Sequence, residues 1–213
     1  MSDTVEFALF DTPIGRCGIA WDGVVIEGTM LREARVGDTR RRLHDRFGGA
    51  SEETPPPAIR DVIERMVASL RGEADDLVDV PLDLDALPRF RRRVLELVRT
   101  IPAGETLSYG EVAAAVGSPG AARAVGQALG RNPFPIVIPC HRVLAAGGHI
   151  GGFTAQGGVS VKVKMLAAEG VTARVSTYVS TRAPHQSLEP ALKSRASRSV
   201  GAARGVAEGG DDS

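Results

Sequence analysis

Three prolines, Pro133, Pro135 and Pro139, enclose the apolar residues Phe134, Ile136, Val137 and Ile138. Proline fixes φ and has no backbone N–H, so the segment is too short and too proline-rich for a helix. It predicts a buried, extended strand that delivers Cys140-His141 to its end. Whatever fold the chain adopts must place a stiff apolar segment inside and stop it at a thiol and an imidazole.

A cysteine is a nucleophile only as the thiolate, which needs a histidine, a helix N-terminus or cations nearby. Cys140 has His141 beside it. No carboxylate occurs between Glu111 and Glu169, whereas Arg123, Arg131, Arg142, Lys162 and Lys164 all fall there. A rigid approach segment would also hold the sulfur for an in-line displacement. Neighbouring side chains on an extended segment point to opposite faces, so Cys140 and His141 can cooperate only through a turn or a bridging water. Taken alone, a Cys-His pair is more often a buried cysteine beside a satisfied core histidine. Context has to decide.

The 213 residues are 43% hydrophobic, enough for one large or two small domains. Twenty-six basic residues balance 26 acidic ones, so net charge argues for no nucleic-acid partner. The distribution does: the carboxylate-free stretch can form a basic face, with Glu73, Asp75, Asp76, Asp79, Asp83 and Asp85 compensating elsewhere. Cys17 and Cys140 are too few for a disulfide framework or a four-cysteine zinc site, which favours a reduced cytosolic protein. No signal segment and no bilayer-length apolar run is evident, so a soluble intracellular protein is expected. His44, His149 and His185 lack partners at ligand spacing, and no metal or cofactor is implied.

Strand-like runs open the chain: Val5 to Phe10, then Cys17 to Trp21, then Val24 to Met30 after the Asp22-Gly23 hairpin signal. They predict a small antiparallel meander. Thr39 to Phe47 is too charged for a core helix, Ser51 to Pro57 reads as loop, and Ala58 to Leu70 carries a helical apolar stripe. The acidic stretch Glu73 to Asp85 reads as a linker. Phe90 to Ile101 is an amphipathic helix ended by Pro102-Ala103-Gly104. Ser108-Tyr109-Gly110-Glu111 is a capping box, and Ser118-Pro119 supplies a capping serine before a first-turn proline. Two short helices so joined are a helix-turn-helix candidate. A glycine-rich loop spans Gly147 to Gly158, and a helix runs from about Val159 to Glu169, stopping at Gly170. Beyond Val175 the composition predicts disorder. The reading is a two-domain α/β (α+β) chain: an N-terminal sheet domain over 1–80, a mostly helical domain over 86–175, and a tail over 176–213.

Asn132-Pro133-Phe134-Pro135-Ile136-Val137-Ile138-Pro139-Cys140-His141-Arg142-Val143, preceded by Ala121-Ala122-Arg123-Ala124-Val125-Gly126, closely resembles the 6-O-alkylguanine-DNA alkyltransferases, also called methylated-DNA–protein-cysteine methyltransferases. Resemblance is densest from Phe90 to Gly170. Asp11-Thr12-Pro13-Ile14-Gly15 looks like that family's first hairpin turn. The resemblance implies a single irreversible transfer of an alkyl group from 6-O-alkylguanine in duplex DNA, with 4-O-methylthymine as a second candidate substrate, onto Cys140. It implies no cofactor, a monomer, no membrane, and a cytoplasmic or nucleoid-associated location.

Residue by residue, His141 matches the histidine that takes the thiol proton through water, and Glu169 the glutamate that supports it. Asn132 matches an asparagine organising the turns around the site. Tyr109 matches a tyrosine placed to help protonate the leaving guanine. Arg123 matches an arginine that enters the duplex where the base is flipped out, on a helix kept slim by Ala122 and Gly126; Ser118 lies just before that helix. Val143 and Thr154 match base-pocket positions. The loop departs from the family pattern, with Phe153-Thr154-Ala155-Gln156 before Gly157-Gly158 carrying two extra residues, and Ala86-Leu87-Pro88-Arg89 lacks the usual Gly-Thr-Pro. Three rivals stay open: an alkyltransferase-like damage sensor, which Cys140 argues against; a cysteine hydrolase using Cys140, His141 and Glu169; and a helix-turn-helix regulator without a reactive thiol.

Overall fold

The computed structural model describes residues 5–73, 75–150 and 158–171. Strands β1 (Glu6–Thr12), β2 (Gly15–Asp22) and β3 (Val25–Met30) form the expected antiparallel meander. Thr12 closes the first turn, its hydroxyl donating to the Gly15 carbonyl (2.6 Å) and accepting from the Ile14 N–H (3.2 Å). A short β4 (Ser51–Glu52) adds in parallel to β1, giving the order β3-β2-β1-β4. The segment expected as loop therefore begins with a two-residue edge strand, too short to leave any alternation in the sequence.

Helix α1 (Val36–Arg46) lies on β2 and buries only Thr39 and Leu43, so its charge is that of a surface helix. Leu43 joins Phe7, Ala20 and Ala50 in one apolar cluster. Helix α2 (Pro57–Leu70) starts on a first-turn proline and buries Ile59, Val62, Met66 and Leu70, the stripe its spacing predicts.

The acidic stretch is not a free linker. Leu77 and Val80 are buried, Leu82 bridges Ile26, and Ile26 exchanges backbone bonds with Pro81 (2.9 Å) and Asp83 (3.1 Å). Its carboxylates have uses: Arg65 of α2 donates to Asp75 (2.7 Å) and Asp79 (2.7 Å).

Helix α3 (Arg89–Arg99) turns Val94, Leu95 and Val98 inward against α4 (Tyr109–Ala115) and α5 (Ala122–Gly130). The capping box forms as read: Glu111 N–H donates to the Ser108 hydroxyl (3.1 Å) and Ser108 N–H to the Glu111 carboxylate (2.7 Å). Ser118-Pro119 does not open α5. It sits in the preceding turn, where Ser118 O accepts from Ala121 N–H (3.0 Å), and Ala121 takes the N-cap without a side-chain bond.

The proline segment is a buried turn rather than a strand. Ile138 N–H reaches back to Phe134 O (2.8 Å) while Ile136 adopts φ +79°. Prolines deprive the segment of ladder donors, so it reverses on itself instead. Phe134, Ile136, Val137 and Ile138 are all buried. Strand β3 clamps it, with Thr29 donating its N–H to Pro133 O (2.9 Å) and its hydroxyl to Pro135 O (2.6 Å). Past the turn, β6 (Val143–Leu144) pairs in parallel with β5 (Leu107–Ser108), and α6 (Gly158–Ala168) follows. The Phe153–Gln156 loop with Thr154, and the tail, lie outside the described residues. No described helix is long and apolar enough to cross a membrane.

Candidate active site

Cys140 opens a 3-10 turn, Cys140–Arg142, directly after the proline segment. That turn supplies the change of direction a strand lacks: Cys140, half-buried, lines a cleft of about 1290 Å³, while His141 is 3% exposed and does not line it. Tyr109, Ala122, Arg123, Gly126 and Asn132 line the same cleft, so the structure brings together most of the residues singled out above.

Asn132 pins the proline turn at both ends. Its amide donates to Ile138 O (3.0 Å) and its carbonyl accepts from Phe134 N–H (2.9 Å). The β5–β6 ladder pairs Ser108 with Leu144, which sets Tyr109, the next residue after Ser108, at a fixed place relative to the Cys140–Arg142 turn. Val143 is fully buried and outside the cleft; its N–H donates to Cys140 O and its carbonyl accepts from Lys162. Ser118 is not among the cleft residues.

Behind the thiol, His141 Nε2 meets Glu169 Oε1 at 2.9 Å. A proton on Nε2 leaves Nδ1 as a bare acceptor, and that nitrogen is buried with no partner among the described residues. Burial lowers the His141 pKa below its ordinary value, with Glu169 opposing. Burial likewise pushes the Cys140 thiol up, and Asn132, the Lys162 charge and backbone N–H groups pull against it. At rest the pair is thiol and neutral imidazole, the state from which a base can take a proton. Burial opposes ionisation of Glu169, but hydrogen bonds from His141 and Arg142 outweigh it and bring the carboxyl down to about 2.

Sequence reasoning gave no role to three residues that shape this network. Arg142, 2% exposed, donates to Glu169 through Nε (3.0 Å) and Nη2 (2.8 Å). Its Nη1 reaches Ile101 O and Asp76 (3.3 Å), and Asp76 also accepts from Ala103 N–H (2.9 Å). Lys162, 1% exposed, donates to Val143 O (2.6 Å) and stands 5.9 Å from the Tyr109 ring centroid. Burial lowers Lys162 to about 8. The readable signal was position: Met165 and Leu166 follow Lys162 at the spacing that shares its helix face. Tyr109 is raised by burial and then by the Cys140 charge, so its hydroxyl stays protonated.

Fold and site together define a class: proteins that mount one activatable thiol, backed by imidazole and carboxylate, beside a pair of short helices. Comparison with known proteins narrows it. Residues 89–171 match the family model "6-O-methylguanine DNA methyltransferase, DNA binding domain". A methylated-DNA–protein-cysteine methyltransferase of Mycolicibacterium paratuberculosis is 39% identical over 165 residues, spanning 78% of this chain and 92% of that one. The crystal structure of Mycobacterium tuberculosis OGT in complex with DNA superposes with a TM-score of 0.63 at 37% identity, covering 77% of this chain and 92% of that chain. An O6-methylguanine-DNA methyltransferase from Pyrococcus kodakaraensis gives 0.61 at 28% identity over 78% and 99% of the two chains. The chain belongs to the methylated-DNA–protein-cysteine methyltransferase family.

Proposed function

We propose that the chain performs direct-reversal DNA repair, moving the alkyl group of 6-O-alkylguanine in duplex DNA onto Cys140 in one irreversible step. The observation that carries this reading is the half-buried thiol of Cys140, open to the cleft and backed by the His141–Glu169 pair. His141 Nδ1, through a water, takes the thiol proton. The sulfur attacks the alkyl carbon, an S–C bond forms, the C–O bond breaks, and its electron pair returns to guanine. Tyr109 donates a proton to the leaving base and is reprotonated from His141, so the thiol proton ends on guanine. Lys162 stabilises the transient thiolate. A thioether does not hydrolyse, so one protein molecule serves one lesion.

Reaching a stacked base requires extruding it, which costs a few kcal/mol. In this reading α5 enters the minor groove, Ala122 and Gly126 allowing close approach, and Arg123 fills the vacated stack; Ser118 sits beside the backbone. Val143 and Thr154 border the base. The division into domains at 1–80 and 86–175, the monomeric state and a cytoplasmic or nucleoid-associated location belong to the same proposal, as does 4-O-methylthymine as a further substrate.

The test is intact mass after incubation with an alkylguanine duplex. One alkyl addition per chain, mapped to Cys140 and absent in Cys140→Ser, is expected. Turnover beyond one equivalent, or label on Cys17, overturns the assignment.

A further inference from the structure

The cleft onto which Cys140 opens has walls of two origins. Tyr109, Arg123 and Arg131 come from the C-terminal region, whereas Thr29 and Met30 of β3 and Arg42 and Arg46 of α1 come from the N-terminal one. Arg42 is already paired with Glu33. Arg46 has no carboxylate partner among the described residues: its Nη2 donates to the Pro133 carbonyl (3.4 Å) and its head group stands 4.8 Å from the Phe47 ring centroid. Arg123 and Arg131 likewise form no ion pair among the described residues. Three uncompensated guanidinium groups thus border one cleft.

The Arg46 head group is exposed but has defined neighbours. A Cβ on Gly28 would fall 2.9 Å from its Nη2 and 2.7 Å from Phe47 Cζ, so the guanidinium and the ring both lie close over the β3 backbone there. A guanidinium ordered before its partner arrives loses little rotamer freedom on binding. The neighbouring Arg42 charge disfavours its own, and an arriving anion would offset that repulsion. Arg40 and Arg41 on the same helix differ: they pair with Glu52 and Asp38, and neither lines the cleft.

We propose that Arg46 binds a backbone phosphate of the DNA, so that the N-terminal region forms part of the duplex interface opposite α5. The proposal rests on the DNA-repair reading above. A phosphate contact positions the duplex without reading its sequence, so its effect is the same on damaged and undamaged DNA.

The experiment uses the full chain with Arg46→Gln, Arg46→Lys and, on the outer face, Arg41→Gln. It measures affinity for a short undamaged duplex across a salt series, the transfer rate on free 6-O-alkylguanine base, and melting temperature. Arg46→Gln is expected to weaken binding several-fold at low salt and to reduce the log–log salt slope by about 0.9, the value for one phosphate on B-form DNA. Arg46→Lys should keep the slope, and Arg41→Gln should leave slope, free-base rate and melting temperature at wild type. An unchanged slope in Arg46→Gln overturns the proposal. So does a lower free-base rate or melting temperature with the slope intact, which would show that Arg46 only braces Pro133. A wild-type chain that neither binds duplex nor accepts an alkyl group would overturn the repair reading and this proposal together; failure of the slope alone overturns only the latter.

Discussion

Burial favours Cys140 as a thiol and His141 as a neutral imidazole, so the proposed acid–base step depends on Nδ1 of His141 staying unprotonated. Its pKa is lowered, so the single-turnover rate should persist through the ordinary imidazole range and fall only as the pH drops further. Replacing His141 or Glu169 with glutamine should slow transfer about 10²- to 10⁴-fold at nearly unchanged duplex affinity. Rates and binding constants measured side by side decide it, and equal losses in both would indicate a folding role. Glu169 carries a second consequence. Its side chain is 4% exposed and its pKa lies at about 2, depressed from the ordinary 4.5. A depressed carboxyl stabilises the fold fully above its unfolded pKa and loses that contribution as the pH falls through the folded one. Stability should therefore drop by roughly 3 kcal/mol between about pH 4.5 and 2 from this group. Asp75 and Asp79, held low by Arg65, lose stabilisation in the same range, so urea melts should show a loss larger in wild type than in Glu169→Gln by about that amount.

Among elements, α5 is the one whose role can be separated from the chemistry. If Arg123 fills the gap left by the extruded nucleotide, Arg123→Ala should lower the rate at saturating duplex and spare the rate on free alkylated base. Recovery of the wild-type rate at saturation would reduce Arg123 to a backbone grip. Helix α6 offers a packing test. Gly72, just after α2, has φ +93°, and a Cβ there would lie 2.3 Å from the Ala168 carbonyl, one residue before Glu169. Gly72→Ala should lower the melting temperature by several degrees and slow transfer with it; a silent substitution would mean that α2 and α6 part easily. Much of this layout was legible. The stripes of α2 and α3 and the Ser108–Glu111 box need only local periodicity and capping chemistry. The proline segment was misread because nothing local announces that an isoleucine will take φ +79°; only burial on all sides sustains that strain. Ser118 misled for a related reason: its carbonyl, not its hydroxyl, organises the turn. At the site, Cys140 and His141 could be found from their motif, whereas Asp76 and Arg142 meet across 66 residues of chain, a distance no spacing rule reaches.

For the molecule as a whole, the hydrogen bonds from the N-terminal sheet to the proline segment come from one residue among those described, Thr29. Thr29, 2% exposed, ties β3 to Pro135 through its hydroxyl. Thr29→Val keeps the shape but leaves that carbonyl without its donor, at a cost of about 1–3 kcal/mol. Chemical denaturation should register that loss, and a neutral result would show that this hydroxyl contributes nothing to holding the proline segment. The Asp76–Arg142–Glu169–His141 chain has a consequence for any shortened form of the protein. Glu169 comes 28 residues after His141, so a chain cut between them keeps the thiol and the imidazole and loses the carboxylate that meets Nε2. Under the proposed chemistry such a fragment has a cysteine without a positioned base, and its thiol should react no faster than a free one.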